Sequence, residues 1–205
     1  MFKQLLERIA SEKAPGPSPT FSVFHMLLAI EFTAEKPIGR SKLAENLGIG
    51  EGAVRTIINR LREAGLVATS KAGCTLTNKG LKLWKEYTPI FKKVKIGKSE
   101  LAFANYNFAI LIKNHRHKVK SGMEQRDAAI MAGAKSATTI VLKKGNLIIP
   151  SVSRNVAKDF PKASNQIVQL LKPEENDVII IGSADNLGKA EYGMLAAAWT
   201  LLNDC

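Results

Sequence analysis

The stretch Glu51-Gly52-Ala53-Val54-Arg55-Thr56-Ile57-Ile58-Asn59-Arg60-Leu61-Arg62-Glu63-Ala64-Gly65-Leu66-Val67 reads as an amphipathic helix with a marked stop. Val54, Ile57, Ile58 and Leu61 fall at i, i+3, i+4 and i+7, which is one apolar stripe. The helix is expected over residues 51–64, and Gly65 suits the left-handed position that ends a helix. Upstream, Gly48-Ile49-Gly50 makes a tight turn, and Ser41 is expected to cap a short helix over 42–47. Before that, a helix over 20–33 carries Phe21, Phe24, Leu27, Leu28 and Phe32 at helical spacing, and residues 35–39 break it. An amphipathic helix over 2–13 and a stiff connector rich in proline, residues 14–19, open the chain. Downstream, extended pieces at 66–70 and 74–76 flank Lys71-Ala72-Gly73 as a hairpin tip. Thr77 then caps a helix that runs to about Tyr87, and Pro89 ends it.

Helix, helix, turn, helix, hairpin, helix over residues 20–88 is the order of a helix-turn-helix followed by a wing. The major groove of DNA is about 12 Å wide and admits one helix. With the apolar stripe turned to the core, the helix over 51–64 presents Arg55, Thr56, Asn59 and Arg60 outward. Arginine and asparagine read guanine and adenine edges bidentately. Arg40, Lys42, Lys71, Lys79 and Lys82 are candidate phosphate contacts as a set, although each taken singly is more often just a solvated surface cation. Six such contacts would give a log–log salt slope of roughly −5.

Residues 53–67 resemble the recognition helix and wing entry of winged-helix transcription regulators, and Leu76-Thr77-Asn78-Lys79-Gly80 resembles their exit from the wing. The whole chain resembles a group of archaeal winged-helix proteins with a C-terminal domain of unknown function. The resemblance implies a transcriptional regulator and names neither operator nor effector.

Charge points the same way. Thirty Lys and Arg stand against 18 Asp and Glu, a net +12. Residues 1–98 hold 17 basic and 8 acidic side chains, a net +9, whereas residues 99–205 hold 13 and 10, a net +3. A basic half beside a nearly neutral half suits a chain that presents one part to a polyanion. Hydrophobic residues are 45% and charged residues 23%, which excludes wholesale disorder. No apolar run approaches the ~20 residues of a membrane span, and the first ten residues lack the unbroken apolar middle of a secretory signal. Cys74 and Cys205 are far apart and form no metal-binding spacing. A cytoplasmic protein with no metal and no cofactor is expected.

The division is expected at residues 1–90, an all-α winged helix for DNA, and 91–205, an α+β domain for effector sensing or dimerisation. In the second part a strand is expected at 106–113, a helix at 121–132, a hairpin of 137–142 and 146–150 about Lys144-Gly145, a helix at 154–171 broken near Pro161, a strand at 177–181 and a helix at 186–202. Residues 90–105 read as a strand or a linker. The hairpin requires one antiparallel pair and favours helices against a largely antiparallel sheet. Val178-Ile179-Ile180-Ile181, apolar throughout, is also the pattern of a parallel strand covered on both faces. Gly182-Ser183-Ala184-Asp185-Asn186, at a strand-to-helix junction with Lys189 one turn in, is a candidate anion site; Ser183, Asp185, Asn186, Lys189 and Arg126 are its candidate ligand groups. A serine or aspartate in the place of Ser183 or Asp185 is more often a helix cap than a ligand group. His115 and His117 lack a third ligand partner. Phosphate loops, dinucleotide fingerprints, zinc-protease helices and nucleophile elbows are absent from the sequence.

Two functions follow from these readings. One is a DNA-binding regulator, acting on double-stranded DNA as a homodimer under a small-molecule effector and not catalytic. The other is an enzyme fused to a winged helix, with chemistry near Asp185, Lys189 and Arg126. Palindromic half-sites favour a dimer, with the helix over 2–13 and the Trp199 helix as interface or as core.

Overall fold

A computed structural model describes residues 2–11 and 19–202. Residues 14–18 of the proline connector and residues 12 and 13 of the expected first helix lie outside the described residues. The chain divides into two compact units between Thr88 and Pro89.

Unit 1 holds α1 (Phe2–Ala10), α2 (Val23–Glu35), α3 (Arg40–Leu47), α4 (Glu51–Glu63), β1 (Val67–Ser70), β2 (Gly73–Leu76) and α5 (Asn78–Tyr87). The apolar stripe of α4 is the reason it stays in place: Val54, Ile57 and Leu61 have no exposed surface and Ile58 is 3% exposed. Burying such side chains contributes roughly 1.5–3 kcal/mol each. Leu43 and Leu47 of α3 and Met26 to Ile30 of α2 complete the core. Gly48 takes φ +66 at the end of α3 and permits the turn into α4. α3 begins two residues earlier than expected: Gly39 occupies the cap, and Ser41 lies inside the helix. β1 and β2 pair antiparallel from Val67↔Leu76 to Ser70↔Gly73, and an isolated bridge between Ile38 and Cys74 adds a third short extended piece. A Cβ on Gly73 would fall 2.7 Å from the Ile38 backbone, so this bridge requires glycine. The first helix belongs to this core: Leu6 is fully buried and Phe2 stacks on Tyr87 with ring centroids 4.2 Å apart.

Unit 2 is α+β. Its sheet runs β3 (Phe91–Lys95), β4 (Tyr106–Ile112), β7 (Val178–Ala184), β5 (Ser136–Lys143) and β6 (Asn146–Ile148) in spatial order, and every pair is antiparallel. The ambiguous residues 90–105 thus begin with an edge strand. α6 (Met123–Met131) and α9 (Leu187–Trp199) cover one face, and α7 (Val156–Asp159) and α8 (Pro161–Leu171) cover the other. Both helix layers explain the apolar run at 178–181. It marks a central strand covered twice, and two-sided burial does not require a parallel neighbour. Ile179 and Ile181 join the α7–α8 side with Ile140, Ile167 and Leu171. On the opposite side, a Cβ on Gly182 would meet Met194 Cβ at 2.8 Å, so α9 lies against bare backbone there. Trp199 is 7% exposed, which places that helix in the core. The hairpin turn takes Lys144 at φ 51 and Gly145 at φ 72, as a two-residue hairpin connection requires.

Candidate nucleic-acid interface

α4, the β1–β2 wing and the first residues of α3 enclose a cleft of about 380 Å³. Arg55, Asn59 and Arg62 line it from α4, Arg40 from α3 and Lys71 from the wing tip. Residues 55, 59 and 62 stand at i, i+4 and i+7, so helical periodicity alone puts them in one row. The turn at Lys71 is held by Ser70, whose Oγ accepts from the Ala72 N–H at 3.1 Å. Four cations therefore converge on the cleft, and no carboxylate lines it. Among the described residues none of the four is ion-paired. Arg40, Arg55, Arg62 and Lys71 are exposed, and Asn59 is half-buried. Cys74 closes the floor at 3% exposure; burial raises its thiol pKa, and the Arg40 charge opposes that shift.

The other expected contact residues separate into three groups. Thr56 and Lys42 are exposed but outside the cleft; the Thr56 hydroxyl donates to the Gly52 carbonyl at 3.2 Å, and Lys42 pairs with Glu45 at 2.8 Å. Lys79 and Lys82 are exposed on α5 and line a different cavity with α1, and Lys79 Nζ donates to the Ala64 carbonyl at 2.9 Å. Arg60 corrects the sequence reading. Its Nη1 lies 3.2, 3.0 and 2.9 Å from the carbonyl oxygens of Ile9, Ala10 and Ser11, and its guanidinium sits 5.3 Å from the centre of the Phe21 ring. The last carbonyls of a helix have no intrahelical partner, so Arg60 fastens the end of α1 instead of facing outward. Five residues on from Arg55, it lies about 140° round the helix. Arg62 was missing from the expected set, although the spacing from Arg55 and Asn59 pointed to it.

The candidate anion site of unit 2 also changes. Gly182, Ser183 and Ala184 are not a loop: they continue β7, paired with Phe108, Asn107 and Tyr106. Ser183 has no exposed surface and lies within the sheet, so it is removed from the set of ligand groups. Asn186 is the α9 cap, its Oδ1 accepting from the Lys189 N–H at 3.1 Å. Asp185 is exposed and pairs with Lys135 at 3.0 Å, and that lysine holds its carboxyl below the usual range. Lys189 packs its methylenes near Gly133. Arg126 pairs with Asp127 at 3.3 Å, and with Lys135 the two line an open depression of about 480 Å³. What remains is a solvated group of surface ion pairs. No metal-ligand cluster of three or more occurs among the described residues, and none of their helices is long and apolar enough to cross a membrane.

Comparison with known proteins adds the following. No curated protein matches. Residues 25–82 match the family model described as PH0730-like, N-terminal domain, and residues 103–201 match the one described as a domain of unknown function, DUF4443. The chain is similar to a solved archaeal structure, hypothetical protein PH0730 from Pyrococcus horikoshii OT3, at 27% identity and a TM-score of 0.71, over 88% of this chain and 92% of that one.

Proposed function

We propose that unit 1 binds double-stranded DNA and that the protein is a transcriptional regulator. One observation carries the reading: Arg40, Arg55, Arg62 and Lys71 line a single cleft between α4 and the wing without any carboxylate among them. A helix with side chains is about 10–12 Å across and fits a groove about 12 Å wide. Arg55 and Asn59 read base edges. Arg40, Arg62 and Lys71 hold phosphates, and their release of counterions makes the affinity fall steeply with salt. A homodimer suits this reading because it places two such helices on half-sites about 34 Å apart. The expected effector and the cytoplasmic location belong to the same reading; unit 2, with its own core, serves dimerisation or sensing. The protein is not an enzyme in this reading.

The test is selection of bound fragments from a random duplex library by the full chain, followed by anisotropy titration of the recovered duplex. Saturable binding that Arg55→Ala weakens on the selected duplex supports the proposal. Failure to retain any duplex in dilute buffer overturns it.

A further inference from the structure

Unit 1 contains a second cavity, of about 530 Å³, between α1 and α5. Its size falls in the range of about 300–1,000 Å³ occupied by small-molecule sites. The lining is mostly apolar, with Leu5, Leu66 and Leu83 contributing aliphatic surface. Arg8, Lys79 and Lys82 line it as well. Glu86 is the one carboxylate on the wall, so cations exceed anions by two. Among the described residues neither Arg8 nor Lys82 carries an ion pair. Aliphatic walls with uncompensated cations complement a molecule that has an alkyl body and a single anionic head.

We propose that this cavity binds a free medium-chain aliphatic carboxylate, with its chain on the three leucines and its carboxylate at Arg8 and Lys82. The position gives such a ligand access to the DNA-reading helix. Leu66 lies three residues past Glu63, the last residue of α4, and Lys79 holds the cap of that helix by its bond to the Ala64 carbonyl. Thr77 ties the same joint, its hydroxyl donating to the Gly65 carbonyl at 2.6 Å. A carboxylate that draws Lys79 away from Ala64 loosens the junction of α4 and the wing. The regulatory consequence rests on the DNA-binding reading; the binding step does not.

The probe is octanoate, titrated calorimetrically into the full chain with no DNA present, with 1-octanol as the uncharged control. Saturable binding at one per chain is expected, with amide shifts in nitrogen-15 spectra concentrated at residues 64–67. Arg8→Glu combined with Lys82→Glu should weaken octanoate roughly tenfold and leave 1-octanol unchanged. Both side chains are exposed, so the double variant keeps its fold, and its circular dichroism checks this. Leu83→Gln should weaken both probes. Absence of saturable octanoate binding, equal affinity in the double variant, or binding only to phosphatidylglycerol vesicles would overturn the site. Because DNA is absent from the titration, a failure here leaves the duplex experiment standing, and a failure there leaves this one standing.

Discussion

Arg60 and Arg62 stand two residues apart on α4 and point to different tasks. Arg60 meets three carbonyls and an aromatic ring, whereas Arg62 lines the basic cleft without a partner among the described residues. Arg60→Met should therefore lower the stability of the chain by about 1–3 kcal/mol in urea unfolding, since hydrogen bonds from a charged donor are lost. Its duplex affinity per folded molecule should stay within about twofold. Arg55→Ala and Asn59→Ala should each weaken the selected duplex by about 1–3 kcal/mol and relax preference at one base pair. Arg62→Ala should weaken all duplexes alike, which competition with unrelated DNA measures. A third kind of residue is Glu175, exposed at the β5–β6 hairpin, where its carboxylate accepts from the Lys144 and Gly145 amides at 2.8 and 3.2 Å. Those amides, Lys144 first, hold its pKa below the ordinary value. Its stabilising contribution is present above the unfolded carboxyl pKa and is lost as pH falls through the lower folded value. Glu175→Gln should remove that part of the acid dependence, which unfolding midpoints between pH 5 and pH 2.5 or so would detect.

Among the elements, the hold on α4 comes from its neighbours more than from its own ends. Gly50 caps its start with no side-chain bond, while the stripe Val54, Ile57, Ile58 and Leu61 anchors its length. α5 grips its far end through Thr77 and Lys79. That grip needs close approach: a Cβ on Gly80 would fall 2.1 Å from the Leu66 carbonyl oxygen. Glycine to alanine inside a helix is ordinarily favourable by about 1 kcal/mol. Gly80→Ala should show the opposite sign, a loss of about 1–3 kcal/mol in chemical denaturation, because the neighbouring backbone must move. In unit 2, Gly193 plays the same part where α9 meets α6 and the turn after it, since its Cβ would lie 2.4 Å from Ala134 Cβ and 3.1 Å from the Ala129 carbonyl oxygen. Lysines blunt the edge strand β3, with Lys92, Lys93 and Lys95 along five residues. Unpaired strand edges invite aggregation, and charge discourages it.

At the scale of the whole molecule, period and punctuation in the sequence carried the architecture. The α4 stripe, the Gly48 turn and the Lys144-Gly145 hairpin are local signals, and all three correspond to observed geometry. Sheet direction was less legible. The run Val178–Ile181 reports only that both faces are covered, and antiparallel order depends on pairing with distant strands. β7 extends through Ser183 because Tyr106–Phe108 and Ser136–Ala137 continue to pair with it, which no residue near Ser183 announces. Arg60 was misread for a similar reason. Its partners are about fifty positions earlier in the chain, and only tertiary packing brings them together. Arg62, in contrast, was legible at helical spacing. The central claim concerns the cleft, and a salt series tests it most directly. Anisotropy titration of a labelled selected duplex should give log affinity falling against log salt with a slope of about −3 per chain, set by the three cleft cations that hold phosphates, Arg40, Arg62 and Lys71. Arg40→Ala with Arg62→Ala should reduce that slope by about two, while Lys79→Ala with Lys82→Ala should not change it. A slope near zero, or one that follows the α5 lysines instead of the cleft arginines, would contradict the account.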